Sequence, residues 1–412
     1  MSPHATAVPV DNAPLQAPDW PALFARRAAR VGDELTAILS HAASADVITF
    51  SGGFPAPEVF PVDVVQDLLA RLVAQRSATA LQYSPTEGLP VAREAVSALL
   101  QDTQGTVVDP GHVLITSGGI EGLQLLARIL VEPGDRILVE APTYLGAIMA
   151  FAGFEAEVEG VPVDEHGLRI DDLEVALRSG RRPKLLYVIP DHQNPSGLTL
   201  SADRRHALVE LCRRHHLLII EDVAYRELGF DGTALPSLWS LAPDVVVQLG
   251  TFSKILVPGV RLGWAVGPRA IVTTMTAAKQ NSDQCAGALG QTLMAEYVLG
   301  GHLPGMLDRA RSLYGRRAAT MLDGLARYMP AGVTWTRPAG GFFVWLTAPE
   351  DVDTRALVAP AARLGVAFVP GAPFYTDTRG VNEIRLAFSR ADEASIEEGI
   401  RRLAPLFGGS VS

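Results

Sequence analysis

Short, unbroken apolar runs recur through the first three hundred residues of this chain, separated by stretches of helical period. The runs Val113-Leu-Ile115, Arg136-Ile-Leu-Val139, Lys184-Leu-Leu-Tyr-Val-Ile189, Leu217-Leu-Ile-Ile220 and Val245-Val-Val247 are brief and β-rich. Strands buried on both faces read this way, because a parallel sheet carries helices on each side. Between them, residues 121–131 and Ala202–His215 space their apolar side chains for a helix. Such alternation predicts an α/β fold, a mostly parallel sheet sandwiched by helices, over residues 60–300. From residue 301 the pattern changes. A long helical stretch, 304–328, precedes Gly340-Gly-Phe-Phe-Val-Trp-Leu346, Val366-Ala-Phe-Val369 and Glu383-Ile-Arg-Leu-Ala-Phe388. These predict a smaller α+β domain over 301–412. Residues 20–40 read as a helix, and the segment 20–59 is expected to join that smaller domain. Residues 1–19, rich in Pro and Ala, read as a flexible tail rather than a signal peptide.

Composition narrows the function classes. The chain has 412 residues, 48% of them hydrophobic, enough for a substantial core. Its 35 basic and 45 acidic residues give a net charge of −10, which argues against nucleic acid or an anionic membrane as the main partner. A local basic cleft for a phosphate stays open. No apolar run approaches the roughly 20 residues of a membrane span. Cys212 and Cys285, the only cysteines, give neither a disulfide framework nor zinc-ligand spacing, which fits a reducing cytoplasm.

Candidate chemistry gathers where the strands end. In Thr251-Phe-Ser-Lys-Ile-Leu-Val-Pro-Gly-Val-Arg261, Lys254 stands just past an apolar strand, beside Thr251 and Ser253 and seven residues before Arg261. Open α/β sheets bind ligands at the carboxyl ends of their strands. A lysine amine there, flanked by hydroxyl donors and a cation, suits a phosphate-bearing aldehyde held as a Schiff base. A solvated loop lysine is the bland alternative. In Thr116-Ser-Gly-Gly-Ile-Glu-Gly122, the turn Ser117, Gly118, Gly119, Ile120 opens a helix, a seat for an anion or a plain connection. In Pro190-Asp-His-Gln-Asn-Pro-Ser-Gly197, Pro195 extends Asn194, which either points its amide into the cleft or makes an ordinary turn. Asp222 ends the apolar strand of Leu217-Leu-Ile-Ile-Glu-Asp-Val-Ala-Tyr225, where a carboxylate is costly unless it meets a cation or caps the next helix. All four motifs follow strands and converge on one rim.

With these motifs in place, the chain resembles the fold-type I pyridoxal-phosphate enzymes, specifically the class I/II aminotransferases. It is similar to the branch of 2-aminoadipate and kynurenine aminotransferase II-like enzymes through Phe50-Ser-Gly-Gly-Phe-Pro-Ala-Pro-Glu-Val-Phe-Pro61, Leu81-Gln-Tyr-Ser-Pro-Thr-Glu-Gly-Leu-Pro90 and Glu140-Ala-Pro-Thr-Tyr144. The resemblance implies pyridoxal 5'-phosphate as cofactor, on an aspartate-aminotransferase-like large domain. It implies that Lys254 forms the internal aldimine, that Asp222 pairs with the pyridine nitrogen, and that Asn194 and Tyr225 hold the ring oxygen. Tyr144 would stack on the ring, and Ser117, Gly118, Gly119, Ile120, Thr251, Ser253 and Arg261 would cradle the phosphate. Tyr83 would reach the phosphate of a neighbouring subunit, which implies a homodimer with shared sites. Arg385 would grip the substrate α-carboxylate through paired hydrogen bonds, near Gly53; an exposed strand face would also explain it. Arg30 aligns with an arginine that reads a distal carboxylate, but Arg26, Arg27 and Arg30 read more simply as a solvated helix face.

Departures from the branch leave substrate and reaction open. Gly119 and Ile120 stand where a Ser-Gln pair is usual, His192 replaces an aromatic, and Gln284 and Cys285 are unusual after Lys279. His192 reads either as an added acid or base at the substrate or as a packing substitute. The expected reaction is ping-pong transamination between an L-amino acid and a 2-oxo acid. A rival pyridoxal-phosphate enzyme of specialised metabolism would use the same carbanion for replacement, elimination, decarboxylation or carbon–carbon bond formation. A third reading is a non-catalytic regulator on this fold, which would need an added basic winged-helix region ahead of it.

Overall fold

A computed structural model describes residues 18–25, 27–28 and 47–408. In chain order its strands are β1 (Ile48–Thr49), β2 (Val113–Thr116), β3 (Arg136–Ala141), β4 (Glu157–Asp164), β5 (Gly167–Leu168), β6 (Leu185–Val188), β7 (Leu218–Asp222), β8 (Val246–Thr251), β9 (Gly263–Val266), β10 (Thr334–Trp335), β11 (Phe343–Thr347), β12 (Val366–Ala367), β13 (Val369–Pro370) and β14 (Glu383–Ala387).

Eight of them form one sheet in the order β2-β9-β8-β7-β6-β3-β4-β5. β8, β7, β6, β3 and β4 pair in parallel, whereas β9 is antiparallel to both β2 and β8. All residues of β2, β3 and β6 are buried, which is why apolar residues dominate their sequences. Pro90–Gln104 opens with Pro at its first turn and closes on Gly105 in the left-handed region (φ 64), the Pro-first, Gly-last asymmetry of a well-punctuated helix. Three elements of this sheet do not follow from apolar runs: β4, two-residue β5 and β9. β4 alternates charged and apolar residues through Glu157-Val-Glu-Gly-Val and lies near the sheet edge, and β9, Gly263-Trp-Ala-Val266, carries Gly and Ala in place of a run of large aliphatic residues.

Strands β10-β11-β14-β13 make a second, antiparallel sheet after the 26-residue helix Leu303–Tyr328. β1 pairs in parallel with β12, and the Phe50 carbonyl accepts from the Ala387 amide, so the segment after residue 47 packs with the C-terminal strands. Leu145, Trp345, Val369 and Phe374 form a small apolar cluster that ties helix Leu145–Ala152 to this second sheet.

The helix expected over residues 20–40 is interrupted at Phe24 in its described part. It covers Trp20–Leu23, and the chain turns extended at Phe24 (φ −71, ψ 138). None of its residues is buried, so no packed face supports it beyond one turn. The remainder of the expected 20–40 helix, including Arg26 and Arg30, lies outside the described residues, apart from Ala25, Arg27 and Ala28.

Candidate active site

Because β2, β3, β6, β7 and β8 point the same way, the loops that follow them leave a single rim, where antiparallel β9 begins. A cavity of about 300 Å³ opens there. Of the residues singled out in the sequence, Gly53, Gly119, Ile120, Tyr144, Asn194, Asp222, Tyr225, Thr251, Ser253, Lys254, Arg261 and Arg385 line it. Ser117, Gly118, His192 and Tyr83 do not.

Lys254 Nζ donates to the Gly53 carbonyl at 2.7 Å and lies 5.6 Å from the centre of the Phe342 ring. Burial, reinforced by Arg261 and Arg385, pushes its amine down to about 8, while Asp222 works in the opposite sense. Asp222 accepts from the Tyr187 hydroxyl (2.8 Å) and the Ala224 amide (3.1 Å). Burial nevertheless raises its pKa above the ordinary carboxylate range. Tyr187 sits inside β6 as one more apolar-looking strand residue, so its role as the partner of Asp222 carries no local sequence signal.

At the opposite wall, Arg385 donates Nη1 to Asn194 Oδ1 at 2.8 Å and Nη2 to the Ser51 carbonyl. Its guanidinium lies 4.5 Å from the Phe343 ring centre and 4.9 Å from that of Phe374. Burial pushes its pKa down to about 10, and its Nε is buried without a hydrogen-bond partner. Such a group calls for an anionic ligand. Tyr225 hydrogen-bonds Asn194 and packs edge-on against Phe342 and Phe343, and burial holds its hydroxyl protonated.

The glycine turn meets Arg261. Gly118 has φ +100, and a Cβ there would come within 2.9 Å of Arg261 Nη2. Arg261 Nη1 donates to Ser253 Oγ at 3.2 Å. The helix Gly119–Leu130 starts at this point, so its first amides are free of intrahelical partners. Ser117 is committed elsewhere, since its hydroxyl donates to Asp283 Oδ2 at 2.7 Å and its amide to Glu121 Oε2 at 2.6 Å.

His192 turns away from the cavity. Its backbone is left-handed (φ 49), its Nδ1 is 3.2 Å from Thr199 Oγ1, and a Cβ on Gly340 would strike its ring at 2.5 Å. It is a buried packing residue seated on glycine backbone, and the acid–base reading at the substrate has no geometry behind it. Tyr83 is 76% exposed and makes no contact with this cavity. Gln284 takes a left-handed turn (φ 69) between Asp283 and Cys285, outside the cavity lining.

The donor set fits pyridoxal phosphate: an aldehyde-competent amine of lowered pKa, a buried carboxylate short of a cation, and a glycine turn with an arginine at a helix start. Residues 45–403 match the family model for aminotransferase class I and II. The chain belongs to the class I and II aminotransferases. It is 37% identical to aromatic-amino-acid aminotransferase 1 of Thermococcus litoralis, covering 95% of each chain. It is also 37% identical to the 2-aminoadipate transaminase of Thermus thermophilus, covering 95% of this chain and 98% of that one. The crystal structure of Pyrococcus horikoshii kynurenine aminotransferase in complex with PMP superposes with a TM-score of 0.91 at 37% identity, covering 95% of this chain and 98% of that one. The aminotransferase thus moves amino groups between amino acids and keto acids, with pyridoxal phosphate as its cofactor.

Three lysines stand among the 35 basic residues of this aminotransferase: Lys184, Lys254 and Lys279. Lys184 is half-exposed beside Asp135, and Lys279 is buried between Glu121 and Asp283. Lys254 alone of the three lines the cavity.

Proposed function

We propose that this aminotransferase takes its amino group from L-amino acids with apolar or aromatic side chains. The observation that carries this reading is the division of the cavity wall. Among the described residues its cations are Lys254, Arg261 and Arg385, and each has a use in holding cofactor or α-carboxylate. The surface left for a side chain is Phe54, Ile120, Leu123, Tyr144 and Ile189. Ile120 offers no hydrogen bond to a polar substituent, and an unpaired polar group buried against such a wall costs about 1–3 kcal/mol. A further hollow of about 690 Å³ shares Ile120 and Tyr144 with the cavity; Leu125, Met149 and Phe154 give it an apolar side for a long side chain, while Arg27, Glu121, Gln124 and Arg128 line the rest.

In this reading, bound pyridoxal phosphate supplies the electron sink that stabilises negative charge at the substrate Cα. Lys254 Nζ would hold the cofactor aldehyde, and its amine would carry a proton to or from the substrate Cα. Such positioned transfer contributes roughly 10²–10⁴-fold. Asp222, braced by Tyr187 and Ala224, keeps a proton on the pyridine nitrogen. Asn194 and Tyr225 hold the ring oxygen, and Tyr144 covers the ring face. Ser253, Arg261, Thr251 and the Gly119 and Ile120 amides would bind the phosphate. Arg385 orients the α-carboxylate between Phe343 and Phe374.

The assembly we infer is a homodimer with shared sites, in which Tyr83 reaches the partner's phosphate. Support comes from Leu81 and Tyr83, two large side chains 63% and 76% exposed on one loop. Arg30 remains a candidate reader of a distal carboxylate. Kinetics on aromatic, aliphatic and dicarboxylic donors test the substrate class. Aromatic and long aliphatic donors should exceed dicarboxylic ones in kcat/KM by about tenfold or more, the scale set by one mismatched buried group. A preference for dicarboxylic donors that is lost in Arg30→Ala would replace this reading with the distal-carboxylate one.

A further inference from the structure

Behind the glycine turn lies a charged cluster that the reaction does not use. Lys279, on the helix Arg269–Gln280, is fully buried. Its Nζ donates to both carboxylate oxygens of Glu121 at 2.8 Å, and to Asp283 Oδ1 at 2.8 Å and Oδ2 at 2.7 Å. Both carboxylates then hold the turn itself: Glu121 takes the Ser117 amide at 2.6 Å, and Asp283 takes the Ser117 hydroxyl at 2.7 Å. The amides that follow, at the start of Gly119–Leu130, are left free to face an anion.

We propose that Lys279 is a positioning residue for the cofactor phosphate, acting through Glu121 and Asp283 to fix the turn from Ser117 to Ile120. This rests on the reading that the turn binds the phosphate. Two effects combine. The first is geometric. With Ser117 clamped at both its amide and its hydroxyl, Gly118 keeps its left-handed backbone against Arg261, and the free amides converge with that guanidinium. The second is electrostatic. Glu121 and Asp283 bring up to two negative charges to the base of an anion seat, and the Lys279 ammonium cancels one of them. Without it, two carboxylates would face an incoming phosphate dianion. All but three of the chain's 35 basic residues are arginines, which makes a buried lysine here a chemical choice. A point charge with three donors can serve two carboxylates in a space that a planar guanidinium fills differently. The turn Ser282-Asp-Gln-Cys285 supports the arrangement, because the amides of Ser282, Asp283 and Gln284 all donate to the Lys279 carbonyl and seat Asp283 one helical turn away.

The test compares two ligands on the apo-protein: pyridoxal phosphate, and pyridoxal, which lacks the phosphate. Binding is followed by absorbance, and folding of each variant by thermal unfolding without ligand. Lys279→Met should weaken pyridoxal phosphate by about thirtyfold or more, the loss expected on removing one partner of a buried charge pair. It should leave pyridoxal binding unchanged. Lys279→Gln, a milder change that keeps hydrogen-bond donors for the two carboxylates while removing the charge, should shift the same ratio in the same direction and serves if Lys279→Met fails to fold. Equal weakening of both ligands, or no weakening of either, would overturn the proposal and leave Lys279 a plain structural ion pair. A wild-type protein that binds pyridoxal as tightly as pyridoxal phosphate would overturn it differently, by removing the phosphate seat itself.

Discussion

At Lys254, two opposing demands meet in one side chain. A neutral amine is needed to attack a carbonyl and accept a proton, yet an ordinary lysine is charged at neutral pH. Burial and the two nearby guanidiniums resolve this by pushing the amine down to about 8. The sign is direct: as pH rises through that value the amine loses its proton and becomes reactive. Apo-protein mixed with cofactor should therefore develop visible absorbance at a rate that climbs with pH, with its inflection near pH 8 and a plateau above it, read by stopped flow. An inflection at the ordinary lysine value of 10.5 would mean that neither burial nor the arginines act on the amine. Asp222 has the complementary problem, a buried carboxylate whose nearest donors, Tyr187 and Ala224, are neutral. A protonated pyridine nitrogen supplies the missing cation. Asp222→Asn should keep the cofactor but lower kcat by about 10²–10³-fold, the usual cost of losing one preorganised charge-stabilising group. Near-normal turnover in that variant would separate Asp222 from the ring charge.

Elements matter here chiefly through what their ends hold together. β3 ends beside Glu140, a buried carboxyl pushed up to about 8 by burial, with Asp222 adding to the effect. Glu140 accepts from the Ile189 amide at 2.9 Å and hydrogen-bonds Gln193, so it binds the loop after β6, which carries Asn194. Its folded pKa lies above the unfolded carboxyl value of 4.5, so the folded chain keeps a proton that the unfolded chain has released. That contribution to stability is complete below about pH 4.5 and is lost as pH rises through about 8, at up to about 1.4 kcal/mol per pH unit. Denaturant midpoints measured across this window should fall less steeply in Glu140→Gln than in the parent. Glu221 and Glu227 are raised in the same direction, so some slope should remain. An unchanged slope would show that Glu140 is ionised in the folded protein. This scale also explains what could be read in advance. β2, β3, β6, β7 and β8 are buried on both faces, so their apolar runs announce them, and Lys254, Asp222 and Asn194 follow those runs directly. β9, with Gly and Ala among its four residues, and the alternating strand β4 near the sheet edge leave no such mark. Tyr187 hides within a strand, Gly53 and Ser51 act through carbonyls that any residue possesses, and Lys279 meets Glu121 across 158 residues. Pairings made only by the closing of the fold have no local pattern to betray them.

For the molecule as a whole, the open question of assembly and the central chemical claim have separate tests. If Tyr83 completes the partner's site, the active unit is a two-fold dimer in which each site needs both chains. Mixing inactive Lys254→Ala with an inactive Tyr83 variant should regenerate up to about a quarter of full activity, because random pairing makes half the dimers mixed and one site in each is intact. Restored activity absent at every mixing ratio would leave Tyr83 a surface residue. The central claim, that Lys254 carries the cofactor and yields it to an amino donor, is exposed most directly by borohydride reduction and peptide mapping. With three lysines in the chain, a reduced cofactor label has three possible lysine addresses. The account predicts the label on the Lys254 peptide, and its disappearance when the protein is first treated with an aromatic amino acid in the absence of any 2-oxo acid. A label on Lys184 or Lys279, or one that survives that treatment on Lys254, would contradict it.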